Sequence, residues 1–317
     1  MAKTQSSRFQ TATQLLDLSL PPAGKPLHWG QLSGSALSLA LAEAARQLDG
    51  CGVVVVADNA GADHLQATLN FFLADSTIPV LGLPDWETLP YDVFSPHEDI
   101  VSARLATLHR LTTWRQGILV LPITTLMHRL APPSYLHAHS LVLATGERLD
   151  FDQLRQRLEA AGYNPVAQVM AHGEFALRGS IVDLYPNGSS LPYRIDLLDD
   201  EVDSIRLFDP ETQRSIEQVE SVQLLPAHEF PLATEAIKGF RQRFRSQFEG
   251  DPQASPIYRE VTAGNAPGGI EYYLPLFFDS LATLFDYLPA NTTFFLTEGI
   301  EAAAETFSDN VLERFEQ

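Results

Sequence analysis

The run "CGVVVVA" at residues 51–57 is the tightest constraint in this chain. It is apolar at both alternating sets of positions and β-branched at four successive ones, so neither face suits water. A strand of that kind belongs in a parallel sheet covered on both sides. The flanking sequence supplies the covers. From Ser35 to Leu48, the residues Leu37, Leu41, Ala44, Ala45 and Leu48 recur near the 3.6-residue helical period, and Gly50 ends the pattern. "ADHLQATLNFFL" (62–73) reads as a second helix, while "IPVLGLP" (78–84) and "GILVLPI" (117–123) read as further strands. Strands alternating with helices predict a doubly wound α/β sheet.

Between the last two strands lies "DWETLPYDVFSPHEDIVSARLATLHRL" (85–111). Pro84, Pro90 and Pro96 impose an extended path as far as Ser95. Ser95-Pro-His-Glu then predicts a helix from Pro96, with Ser95 as N-cap and a glutamate at the third position. Ile100, Arg104, Leu105, Leu108 and Leu111 share the face expected to dock on the sheet.

The character changes after about residue 140. A helix near 152–161 precedes "HGEFALRGSIVDLYP" (172–186) and "LPYRIDLLDDEVDSIRLFD" (191–209), short alternating runs separated by turn residues, which predict antiparallel hairpins. From about 227 the pattern is mixed. It holds an amphipathic helix over Thr234–Phe248, a Gly/Pro-rich loop at 250–269, and aromatic segments around "EYYLPLFF" and "TTFFLTEG". No internal repeat or low-complexity tract is present.

"HWGQLSGSALSLAL" (28–41) has the outline of a phosphate-binding loop opening a helix. Such a loop needs a glycine, four free positions, then Gly-Lys-[Ser/Thr], because backbone amides cradle the phosphates, the lysine neutralises them and the hydroxyl holds magnesium. Counting from Gly30, the critical places hold Ser35, Ala36 and Leu37, with Gly34 before them. The lysine and the magnesium-binding hydroxyl are missing. An ordinary glycine turn accounts for the same residues, and both readings predict no ATP hydrolysis.

With 45% hydrophobic and 19% charged residues, the 317-residue chain can bury a substantial core in two or three domains. Its apolar runs fall far short of the roughly 18–20 residues of a membrane helix. "LLDLSL" near the N-terminus has no basic lead-in, so no signal peptide is expected. The lone Cys51 precludes an intramolecular disulfide and reads as core, and His137 and His139 have no third ligand beside them, so neither a metal nor another cofactor is expected. Against 40 acids stand 21 Lys and Arg, a net charge of −19 that disfavours direct nucleic-acid binding and suits a protein partner. A solubilising acidic surface explains the charge equally well.

Strand alternation picks out one surface. In Tyr193–Leu198 the apolar Tyr193, Ile195 and Leu197 suit a core, which turns Arg194, Asp196 and Leu198 outward. Beyond the Asp-Asp turn, Ile205 and Leu207 point inward, and Ser204 and Arg206 join the outward face. Arginines around an exposed leucine have the make-up of a protein hot spot. Segment 172–209 holds three arginines, Arg178, Arg194 and Arg206, against eight acids. Such arginines suit discrete carboxylates on a partner better than DNA; internal salt bridges are the competing account. Asp199, Asp200 and Glu201 read as a solvated turn rather than a catalytic cluster.

The three stretches 85–108, 172–186 and 191–209 together resemble the N-terminal region of the bacterial transcription-repair coupling factor (Mfd) family, over nearly all of the chain. That resemblance implies a fold similar to the repair helicase subunit UvrB. It comprises a degenerate P-loop α/β domain at 1–139 (UvrB domain 1a-like), a small antiparallel β-rich UvrA-binding domain at 140–226 (domain 2-like) and a mixed α/β domain at 227–317 (domain 1b-like). Gly30, Gly34, Ser35, Ala36 and Leu37 would be the remains of the nucleotide loop. The tyrosine-rich hairpin with which UvrB clamps DNA has no room between Tyr91 and Ser95.

The resemblance also implies a function. The chain would be a non-enzymatic, cytoplasmic module that recruits UvrA to stalled RNA polymerase, with polymerase and DNA contacted through other domains of a translocase. Arg178 and Arg194 match the UvrA-docking surface, Leu198 stands where a bulkier aromatic can occur, and Tyr185 and Arg206 complete the candidate set. Replacing either Arg178 or Arg194 is expected to abolish docking without unfolding the chain. A divergent nucleotide-dependent helicase or ATPase domain completed by other domains is the alternative, and a purely structural or autoinhibitory domain a third.

Overall fold

The computed structural model describes residues 20, 24–30, 32 and 34–316. Four strands, β1 (Cys51–Val56), β2 (Val80–Gly82), β3 (Gly117–Pro122) and β12 (Thr293–Leu296), form a parallel sheet in the order β12-β1-β3-β2. Every residue of β1 and β3 is buried, as their two-faced apolar sequences require. On one face Val54, Val56, Ile118 and Val120 pack against Leu41 and Ala45 of helix α1 (Ser35–Gln47) and Leu65 and Leu69 of α2 (Asn59–Phe72). On the other, Val53, Val55, Leu119 and Leu121 meet Leu105, Leu108 and Leu111 of α3 (Glu98–Leu111). Cys51 belongs to this layer, and burial pushes its thiol up to about 11. Strand β12 arrives from the far end of the chain to pair with β1 from Gly52↔Thr293 to Val55↔Leu296.

Beyond β3 the chain forms two short helices, α4 (Ile123–Met127) and α5 (Pro133–His139), then strand β4 (Leu141–Ala144) and helix α6 (Phe151–Ala160). A six-stranded sheet follows, built from β5 (Asn164–Pro165), β6 (Glu174–Arg178), β7 (Ile181–Leu184), β8 (Tyr193–Leu198), β9 (Glu201–Phe208) and β10 (Ser215–Val219) in reverse sequence order. All its pairs are antiparallel except β5 with β6. Its inner face, including Phe175, Val182, Ile195 and Ile205, packs on Leu154 and Leu158 of α6 and on the two-stranded ribbon of β4 with β11 (Ser221–Leu224).

The remaining core is aromatic. Phe240 and Phe244 of α7 (Thr234–Gln247) pack with Phe230, Phe277 and Tyr258 of α8 (Pro256–Thr262). The C-terminal helix α9 (Ile300–Glu316) has no fully buried residue. Among the described residues no helix is long and apolar enough to cross a membrane.

Arg104 ties these parts together. It lies on the sheet-facing side of α3 and is fully buried, although a guanidinium cannot shed its charge. Glu229, which follows β11, accepts from Arg104 Nε at 2.6 Å and Nη2 at 3.3 Å, and from Trp86 Nε1 at 3.0 Å. The third nitrogen, Nη1, donates to the Pro84 carbonyl at 2.7 Å, and the guanidinium lies 4.8 Å from the Trp86 ring centre.

Ser95 differs from its expected role. Helix α3 starts at Glu98, capped by His97, whose Nδ1 accepts from the Asp99 amide at 3.3 Å. Ser95 instead donates to Glu271 Oε2 at 2.9 Å and accepts from the Gly269 amide at 3.2 Å. Two long-range partners outcompete the local cap, and the segment 89–95 becomes a strap across the Gly268–Leu276 region. A Cβ on Gly268 or Gly269 would collide with the strap carbonyls of Val93 and Asp92, so only glycine permits this approach. Among the described residues the strap contains no strand.

Two outcomes are expected. Glu229→Ala strands a buried guanidinium and should cost about 3–5 kcal/mol in urea unfolding, whereas Arg104→Met combined with Glu229→Leu should recover most of the loss. Burial raises the Glu271 carboxyl to about 7, so the folded chain holds a proton that the unfolded chain releases above its lower, ordinary carboxylate range. That contribution to stability is present at acidic pH and falls as pH rises towards and through about 7. Glu271→Gln, which mimics the neutral acid, should therefore gain on the native protein between pH ~5 and ~8, by about 1–3 kcal/mol.

Candidate functional site

The antiparallel register aligns the outer face of the six-stranded sheet in two rows. Ala176, Asp183, Arg194, Arg206 and Gln218 are direct neighbours across β6 to β10, and Arg178, Ile181, Asp196 and Ser204 form the row beside them. Ile195 and Leu197 point into the core as the alternation predicts. A register shift between Asp196 and Leu197, followed by Asp199 at φ 55°, ends β8 in a tight turn. Leu198 is left 69% exposed at its rim.

Placing Arg194 directly opposite Arg206 sets two cations side by side, which is unfavourable unless each has its own anion. Asp183 and Asp196 supply them. Arg194 grips Asp183 with both prongs, Nε to Oδ1 at 2.7 Å and Nη2 to Oδ2 at 2.9 Å. Its remaining nitrogen donates to the Gln213 carbonyl at 3.2 Å, and its guanidinium lies 4.7 Å from the Phe208 ring centre. Arg178, on the more exposed edge, reaches the same Asp183 carboxylate at 3.3 Å. Arg206 pairs with Asp196 at 3.0 Å and donates to Ser204 Oγ at 2.9 Å.

The sequence-selected residues therefore come together on one face, but not as free cations. Internal salt bridges, the competing account, engage all three arginines. Arg194 in particular is half-buried and supports the fold, which corrects the expectation that its removal would be structurally silent: the carboxylate it holds is only 2% exposed. Ser204 lies on the expected face yet is buried beneath Arg206. Tyr185 sits just beyond β7, with its ring centre 4.0 Å from that of His172 and its hydroxyl donating to the Ser190 carbonyl at 3.0 Å. Its role there is to hold the loop 185–190.

In the sequence Asp183 is one of the eight acids of segment 172–209 with nothing to single it out as the partner of Arg194, and Gln213 does not stand out at all. The one signal at Asp183 is its place as a lone carboxylate between Val182 and Leu184 in an otherwise apolar strand. Gln213 adopts φ 60°, and its side-chain amide donates to the Val169 and Pro210 carbonyls, which sets the turn whose carbonyl receives Arg194.

The loop at the start of α1 departs from phosphate-binding geometry. Among the described residues no strand leads into it; β1 follows α1 instead. Gly30 is exposed, Gly34 caps the helix at φ 55°, and Ser35 is exposed. Ala36 is half-buried, and Leu37 packs against the sheet core. Gln31 and Ser33 lie outside the described residues. Asp199, Asp200 and Glu201 are all exposed. Among the described residues no three His, Cys, Asp or Glu side chains gather as metal ligands.

Comparison with known proteins covers this sheet and most of the chain around it. Residues 141–230 match the family model described as the UvrB interaction domain. The chain is 48% identical to the transcription-repair-coupling factor of Escherichia coli (strain K12) over 295 residues, 93% of this chain and 25% of that protein. It is 46% identical to that of Haemophilus influenzae over 91% of this chain and 25% of the relative, and 30% identical to that of Bacillus subtilis over 84% and 24%. The chain thus spans about a quarter of the length of the curated relatives it matches.

The salt-bridge geometry separates two substitutions that composition treats alike. Arg194→Ala leaves a buried carboxylate with one long contact and should lower stability by about 2–4 kcal/mol in chemical denaturation. Arg178→Ala removes an exposed partner and should change it by less than about 1 kcal/mol.

Proposed function

The chain belongs to the transcription-repair-coupling factor family, and we propose on that premise that it is a non-enzymatic docking module that binds UvrA. The outer face of the six-stranded sheet supplies the contact. One observation carries the reading: the segment matching the UvrB interaction domain presents an exposed Leu198 beside a row of arginines already ordered by their own carboxylates. Such a row presents fixed guanidinium edges with little side-chain entropy left to lose on binding. Leu198 is the apolar anchor, Arg178 and Arg206 its accessible flanks, and Arg194 with Asp183 the support that fixes them. Tyr185 acts from behind, through the loop it holds.

In the longer protein this module would bring UvrA to stalled RNA polymerase, while polymerase and DNA are contacted elsewhere. Its three parts are the α/β unit at 1–139, completed by β12 from the far end of the chain, the β-rich unit at 140–226 and the mixed unit at 227–317. On this reading the stretch 30–37 is a degenerate nucleotide loop that lacks the lysine, the hydroxyl and, among the described residues, a strand leading into it, and the module works without nucleotide. The rival reading, a divergent ATPase or helicase domain, requires tight magnesium-ATP binding by this chain.

The test is titration calorimetry with purified UvrA. Leu198→Asp and Arg178→Ala should each weaken binding by about tenfold or more and leave the thermal midpoint in place. Wild-type affinity in both variants would sink the assignment of this face. Saturable magnesium-ATP binding would favour the rival.

A further inference from the structure

We propose that the cleft between α9 and the strap 89–95 is a docking site for a basic amphipathic helix of a partner protein. It shares no residue with the outer face of the six-stranded sheet and stands whether or not that face binds UvrA. The cleft, about 420 Å³, is lined chiefly by Tyr91, Met127, Phe307, Val311, Leu312 and Phe315. Its lining is apolar and open to solvent, with Tyr91 57%, Leu312 57% and Phe315 69% exposed. A continuous group of exposed large apolar side chains of this kind marks an interaction surface rather than ordinary scatter.

Both walls are held in place without an occupant. Asp92 accepts from the Leu89 amide at 2.7 Å and forms an ion pair with Arg314 of α9, so one carboxylate fastens the strap to the helix. Ser95 and the two glycines anchor the other end of the strap. Tyr91 is held at φ 74°, with its ring centre 6.4 Å from that of Phe315. The surface is therefore largely preformed.

The chemistry of the occupant follows from α9. Phe307, Val311, Leu312 and Phe315 stand at i, i+4, i+5 and i+8, a stripe about 12 Å long that suits two turns of a second helix. At 100° per residue, Glu301, Glu305, Asp309 and Glu316 lie along the solvent side of that stripe, and all four are exposed. Arg314, the only Lys or Arg in the helix, is engaged by Asp92. An apolar stripe with one acidic border fits a helix carrying leucine-like anchors beside lysines or arginines. The same acidic border repels anionic lipid and nucleic acid.

The probe is a fluorescent synthetic leucine–lysine amphipathic helix of about 18 residues, titrated into the chain and followed by anisotropy. Saturable binding that weakens with added salt is expected. Leu312→Asp, Phe315→Ser, and Glu305→Lys combined with Asp309→Lys should each reduce affinity by about tenfold or more, with the thermal midpoint unchanged and Leu198→Asp without effect. Equal binding by these variants, or by a leucine–glutamate peptide, would overturn the proposal. So would a dimer in sedimentation that Leu312→Asp dissociates, which would make the cleft a contact between copies of this chain.

Discussion

Much of this architecture hangs on one buried charge pair. Arg104 reaches through the packing layer of α3 to Glu229, and the carboxylate it finds belongs to the segment leaving the two-stranded ribbon of β4 and β11. The pair contributes little as simple attraction, because two ions had to leave water to form it. What it imposes is placement: a guanidinium with no escape from the core must meet Glu229, Pro84 and Trp86 together. The stretch from Pro84 to Trp86 that leads into the strap and the chain returning from β11 are thereby fixed to the same helix, and the α/β unit, the strap and the aromatic core share a common reference point.

The same logic recurs at smaller scale on the β-rich sheet. Asp183 is nearly inaccessible, yet two arginines converge on it. A recognition surface made of flexible cations in an acidic protein would be neutralised at random by its own carboxylates. Here each cation has an assigned anion, so what faces solvent is an ordered edge with Leu198 beside it. On the proposed docking face, folding and recognition would draw on the same side chains, because Arg194 holds the buried carboxylate of Asp183.

Strong local periodicity was legible in the sequence. The buried strands β1 and β3, the helices α1, α2 and α6, and the inward set of Ile195, Leu197 and Ile205 all follow from spacing alone. What failed was competition between local and distant partners. Ser95 has every attribute of an N-cap, but Glu271 and Gly269 lie some 175 residues away and leave no trace near it. Likewise the outward row of arginines could be placed by alternation, whereas their partners depend on register. The pairing of Asp183 with Arg194 becomes fixed only once β7 and β8 align, and the turn at Gln213 only once its amide finds Val169.

Strand β12 has a temporal consequence. It pairs with β1 across about 240 residues of intervening chain, so on the ribosome one edge of β1 emerges long before the strand that covers it. Until residues 293–296 are made, that edge offers unpaired amides and carbonyls in one of the most apolar stretches of the molecule. The β-rich sheet, whose strands are local neighbours, is able to form during this interval and does not shield it. Among the described strands the parallel sheet is thus begun first and closed last, and a nascent chain halted between β3 and β12 carries that edge uncovered.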